Sequence, residues 1–248
     1  MMKLFKISLS FILFTVIFQT ESRGQNNSLY LGEVKKIITD MKNTRNMAYM
    51  YSLSAEYPNG QEDRLKGEIY LGNDDKFMYN SNSAFTMIYS TDWYYNANHR
   101  DKTIALVNIN KHLHKDYKDG IEKDMFENNA LIVYLDSVVM KYGTIKSLRK
   151  DNDTVRMELG FPTKMPIRNI RFVYDEKNKV MVSYSTNTFQ PWKNNEFGKD
   201  KGVRKTITCW NFRKTENNRK YKTEYFFAIK KNKALLKKYK KYTLTSKL

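Results

Sequence analysis

Hydrophobic positions change their spacing several times along this chain, and each change marks an element. A predominantly apolar run covers Ile7 to Phe18 behind Lys3 and Lys6, and polar residues follow from Gln19 to Gln25. That run is too short for a membrane-spanning helix. Its basic start and the small residues Ser22 and Gly24 fit a secretory signal cleaved after Gly24. An uncleaved N-terminal anchor is the alternative. The only cysteine, Cys209, lies far beyond the run, so no lipid-attachment box follows it.

Further on, Leu31, Val34, Ile37, Ile38 and Met41 recur at spacings of three and four, which predicts an amphipathic helix over 29–42. After Asn43 the period becomes two. Met47, Tyr49, Tyr51, Leu53 and Ala55 alternate with smaller or polar residues as far as the turn Pro58-Asn59-Gly60, and a return strand carries Leu65, Ile69 and Leu71. Gly67 sits in that strand where a bend or a close backbone approach is expected. Short strands succeed one another at Phe77-Tyr79, Phe85-Met87-Tyr89, Trp93-Tyr95 and Ile104-Leu106, separated by polar turns. The helical period returns from Ile121 to Tyr142, with Ile132, Leu135, Val138, Val139 and Tyr142 as its stripe and Gly143 as its stop. Strands resume at 144–148, 155–159, 170–174, 180–184, 203–212 and 225–229.

Close, regular strand spacing predicts an antiparallel meander instead of parallel units with crossover helices. The fold class is α+β and mainly β: about a dozen strands in one large sheet, with an N-terminal and a mid-chain helix. A sheet of that width must curl, and its concave face needs a cover. Residues 1–24 are read as the signal and 25–248 as a single domain, since no Pro/Gly/Ser-rich linker divides them.

Some of these residues resemble a known family. Gly67-Glu68-Ile69-Tyr70, then Lys76-Phe77-Met78-Tyr79, then Asp92-Trp93-Tyr94-Tyr95-Asn96 follow the order of the outer-membrane lipoprotein carrier (LolA-like) family. There, a glycine-bearing strand precedes an aromatic strand and a turn into an aromatic-rich one. Ile170-Arg171-Phe172-Val173-Tyr174-Asp175, and Gly202 leading into Thr206-Ile207-Thr208-Cys209-Trp210-Asn211-Phe212, extend the similarity over roughly residues 29–214. The resemblance implies a strongly curved antiparallel sheet, a half-open β-barrel whose apolar concave face is covered by helices and receives acyl chains. Asp74-Asp75 departs from the family's proline-containing turn. The basic segment 217–248 has no counterpart.

Alternation adds a candidate cavity lining. Phe77, Tyr79, Phe85, Met87, Tyr89, Trp93, Tyr95, Trp210 and Phe212 fall on alternate positions of neighbouring strands, so one face could carry all of them as ligand-binding residues. Ile132, Leu135 and Val139 would form the lid helix above. A filled core is the competing reading. The 18 tyrosines suit a semi-polar wall, because a buried phenol needs a partner.

Charge and chemistry narrow the function. The chain carries 44 Lys and Arg against 26 Asp and Glu, and the region to Gly24 holds few of either, so the mature protein stays strongly basic. Such a surface attracts anionic partners. The lysines between Lys230 and Lys241 read either as a solvated face or as contacts to phosphate-bearing headgroups. Nucleic acid is not expected, since export removes the chain from it and no recognition module is visible.

Catalytic signatures are missing as well: no Gly-x-Ser-x-Gly elbow, phosphate-cradling loop, His-Glu-x-x-His or cysteine pair occurs. His112 and His114 could share one strand face but lack an evident third metal ligand, and His99 is expected to be a solvated turn residue. No cofactor and no metal are implied.

The sequence therefore reads as a monomeric, non-enzymatic, exported periplasmic or secreted protein that binds a lipid or a lipoprotein acyl chain. An anionic membrane surface or envelope proteins are further expected partners. The alternative is a structural or adaptor subunit of the cell envelope acting through its basic surface and C-terminal segment.

Overall fold

The computed structural model describes residues 28–42, 46–72, 76–112, 115, 118, 119, 139–191, 202–215, 221, 239 and 241–247. Helix α1 spans Ser28–Lys42, and among the described residues twelve strands follow: β1 Asn46–Glu56, β2 Glu62–Gly72, β3 Phe77–Asn82, β4 Phe85–Tyr89, β5 Trp93–Asn98, β6 Thr103–Asn108, β7 Thr144–Asp151, β8 Thr154–Gly160, β9 Ile167–Asp175, β10 Val180–Pro191, β11 Gly202–Lys214 and β12 Thr243–Lys247. All belong to one sheet, ordered β12-β6-β5-β4-β3-β2-β1-β11-β10-β9-β8-β7.

The sheet consists of two meanders. Strands β1 to β6 pair in sequence, as do β7 to β11, and the β1–β11 pairing joins the two sets. Every pairing is antiparallel except β12 on β6, which is parallel. The outermost strands, β12 and β7, do not meet, so the long curved sheet stays open, in keeping with a half-open barrel. Right-handed strand twist makes so wide an open sheet coil. Exposed Lys146, Arg149 and Lys150, with a register shift between Ile145 and Ser147, guard the β7 edge against pairing with another chain.

Each face has its own core. The inner face is the one on which α1 lies, and the helix inserts the i, i+3, i+4 set Val34, Ile37 and Ile38, all at most 3% exposed. Each such side chain contributes about 1.5–3 kcal/mol relative to exposure. Tyr49, Tyr89, Met157, Phe172, Tyr184 and Phe212 meet them from the strands. Polar ties fix the helix: the Tyr174 hydroxyl donates to Asp40 Oδ2 at 2.6 Å, and Glu176 accepts from Lys36 of α1 at 2.7 Å and lies 2.6 Å from Lys150 of β7.

Among the described residues, the outer core lies on the β1–β6 half. Ala48, Tyr70, Tyr79, Ile88, Tyr95 and Leu106 stand in one row across six strands. Residues near the C-terminus cover this row. Tyr221 stacks on Tyr70 at 4.5 Å between ring centroids, and its hydroxyl donates to Glu68, which also receives Arg213 at 2.7 Å. Tyr239 packs edge-on to Tyr95.

His99 is not the solvated turn residue expected from its surroundings. Its Nε2 lies 3.0 Å from Thr86 Oγ1 and its Nδ1 3.1 Å from the Tyr242 hydroxyl, because β12 brings Tyr242 over the turn. Strand β12 itself has no alternation strong enough to predict it. The expected strand 225–229 and most of the helix expected over 121–142 lie outside the described residues. Of its described residues, Met140–Tyr142 form a helical turn.

Candidate functional site

The inner wall of the β1–β5 half is assembled by register. Tyr49, Ile69, Asn80, Met87 and Asn96 form one inward row, and Leu71, Met78, Tyr89 and Tyr94 form the next. Tyr49, Leu71, Met78 and Tyr89 are buried. By contrast, Ile69, Met87 and Tyr94, with Leu65 and Ile207, pack against the core while remaining only half-buried. They make an apolar band that is part core and part open surface.

Polar atoms punctuate the band. Gly67 has no side chain because the Tyr51 ring lies across it: a Cβ there would come within 2.7 Å of that ring and would meet the Ser81 carbonyl. Crossing the glycine, Tyr51 donates to Asn80 Oδ1 at 3.0 Å and accepts from Asn82 Nδ2 at 2.7 Å. Asn96 Nδ2 donates to the Tyr94 hydroxyl at 3.0 Å, whereas its buried Oδ1 accepts nothing from the described residues. Burial raises the phenols of Tyr49, Tyr51 and Tyr94 above their ordinary range, so they are neutral at physiological pH. Burial likewise pushes the Cys209 thiol up to about 12, which leaves it protonated and poorly nucleophilic. A wall of apolar groups, neutral phenols and amides suits an apolar guest with an occasional hydrogen-bonding group.

The nine residues expected on one face are divided between two. Phe77, Tyr79 and Tyr95 are buried in the outer core, with Trp93 packed against it. Tyr89 and Phe212 are buried in the inner core, where Phe212 stacks on Tyr49 at 4.8 Å, and Met87 packs beside them. Phe85 follows the parity of Met87 and Tyr89. Trp210 neighbours inward Cys209 and so turns outward, and positive φ at Asn211 returns Phe212 to the inside.

The cause of the division is register. Tyr79 pairs with Ile88, and Ile88 with Tyr95, so odd positions of β3 and β5 share a face with even positions of β4. Of the expected lid residues, Val139 is buried in the inner core. Ile132 and Leu135 lie outside the described residues, as does His114, while His112 is exposed at the end of a short helix, Ile109–His112.

A LolA superfamily protein is among the solved structures to which this chain is similar. That protein, from Nitrosomonas europaea, has a TM-score of 0.30 at 7% identity, with 75% of this chain and 96% of that chain covered. An uncharacterized conserved protein from Thermus thermophilus gives a TM-score of 0.41 at 5% identity over 88% and 99% of the two chains. A DUF1329 family protein from Desulfovibrio piger gives 0.32 at 9% identity over 78% and 95%. No protein-family model and no curated protein matches the chain.

Several wall residues escaped the aromatic pattern. Leu65 and Ile69 were visible as one face of a strand, but Asn80, Tyr94 and Asn96 were not, since amides and a tyrosine flanked by another tyrosine carry no alternation signal. Gly67 was the usable clue, because a strand glycine implies a close neighbour.

Proposed function

We propose that the inner face of this open sheet binds an apolar chain, either a lipid or the acyl chain of a lipoprotein, and that the protein works as a carrier or chaperone outside the cytoplasm. One observation carries the reading: Leu65, Ile69, Met87, Tyr94 and Ile207 form a half-buried band continuous with the core. Covering the remainder of such a band contributes roughly 25 cal/mol per Å². The signal-like N-terminus supports an exported location. The guest meets aliphatic groups, methionine and amides more than the stacked aromatics the sequence suggested.

The adaptor reading draws less support. Tyr221, Tyr239 and Tyr242 of the C-terminal segment serve the protein's own outer core, which ties up part of the region that would capture a partner.

Solvent extraction of the purified protein followed by mass spectrometry should recover lipid, and a fluorescent fatty acid should bind saturably. Ile69→Asp and Met87→Asp, checked for folding by circular dichroism, should weaken probe binding about tenfold or more. Lipid-free protein that leaves the probe unbound, or folded variants that bind like the parent, would refute the carrier reading.

A further inference from the structure

The other half of the sheet has a different outer face. Where β1, β11, β10 and β9 run side by side, many of their outward positions are polar and form rows. Ser54, Thr206, Asn187 and Asn169 stand in register, linked by hydrogen bonds of 2.8 Å from Thr206 to Asn187 and from Asn187 to Asn169. One row nearer the strand ends come Glu56, Arg204 and Phe189, with Arg168 beside them. A cavity of about 540 Å³ opens here, lined by Glu56, Arg168, Asn187, Phe189, Arg204 and Thr206 and by neighbouring Thr188 and Lys205. Its volume falls within the roughly 300–1,000 Å³ of small-ligand sites.

The cations are arranged as a receiver. Arg168 is held in place, since its Nη1 donates to the Thr163 and Met165 carbonyls and its guanidinium rests 5.1 Å over the Phe189 ring. Phe189 is itself seated against Gly202, where a Cβ would come within 2.6 Å of the ring. A guanidinium fixed on one side keeps its remaining donors directed, and such a fork matches the oxygens of a phosphate. Across the Phe189 position, Arg204 is exposed and makes no hydrogen bond or ion pair with the described residues. Two cations, Arg168 and Arg204, thus share the cavity with one carboxylate, Glu56.

We propose that this cavity is an anion site for a phosphate group, held by Arg168 and Arg204 with Thr206 at its floor. The site is separate from the inner face and does not depend on the carrier reading. The phosphate is either free in solution or carried on a lipid headgroup at a membrane surface, and the two arms of one experiment separate these sources.

In the first arm, inorganic phosphate is titrated into the purified full chain at low ionic strength and followed by calorimetry. In the second, flotation is measured with vesicles of equal parts phosphatidylglycerol and phosphatidylcholine. Arg204→Gln removes an exposed side chain without a partner and should leave the fold intact. Lys66→Gln removes an equal charge from the same face outside the cavity. Saturable phosphate binding that Arg204→Gln weakens about tenfold and Lys66→Gln does not would support the site. The same contrast in flotation would identify a headgroup as a source, and its absence there alone would identify free phosphate. Equal effects of the two substitutions, or no saturable binding of either probe, would overturn the proposal in favour of a diffuse basic surface.

Discussion

The Tyr51 ring spans Gly67 and brings its hydroxyl 3.0 Å from Asn80 Oδ1, so one residue of β1 reaches over β2 to β3. This bridge needs both a strand position without a Cβ and a phenol long enough to cross it.

Gly67→Ala should therefore cost stability through overpacking, by about 1–3 kcal/mol. Tyr51→Phe keeps the ring and removes the hydroxyl, leaving Asn80 and Asn82 to find other partners, at about 1–2 kcal/mol. Urea denaturation of both variants checks the order. A neutral Gly67→Ala would mean that the ring does not occupy that space.

Alkaline pH should loosen the helix from the sheet. Burial, then the Asp40 carboxylate beside it, raises the Tyr174 phenol above its ordinary value. A folded-state pKa above the unfolded value of about 10 gives stability that is complete below that pH and lost as pH rises beyond it. The melting temperature should fall above about pH 10. Tyr174→Phe should start lower at neutral pH and fall less steeply, which paired melting curves would read directly.

Cys209 should report global unfolding. With its thiol held up near 12 by burial, it should resist a thiol reagent at neutral pH in the native state and react fully in denaturant. Rapid labelling of native protein would show that the inner core opens around Tyr51 and Tyr184.

The C-terminal strand should prove necessary to the fold. Removing residues 241–248 takes away Tyr242 and β12, which covers the edge of β6, and should lower the melting temperature and increase binding of a hydrophobic dye. His99→Ala should produce a smaller effect of the same sign. A truncated protein with an unchanged melting temperature would show that β12 is an accessory strand.

Acid should release a separate tie. Hydrogen bonds from Lys150 and Lys36 lower the Glu176 pKa, so the stability it contributes is present above the unfolded carboxylate value of about 4.3 and is lost as pH falls through the lower folded value. Glu176→Gln should flatten that acid limb in pH-dependent denaturation, by less than about 1 kcal/mol because Lys36 and Lys150 are half exposed.

Local periodicity by itself determined α1 and the strands β1 to β11. The three-and-four spacing of Val34, Ile37 and Ile38 marked the helix, and alternation marked β1 to β11, because one strand's own geometry assigns its side chains to two sides. Tertiary structure alone decided which side of one strand joins which side of the next. That choice depends on the sum of paired positions, as in Tyr79 with Ile88 and Ile88 with Tyr95, and a shift of one residue in a turn reverses it. The same limit hid the closure of β1 on β11 and the parallel seat of β12 on β6, since a long-range pairing leaves no local period to read.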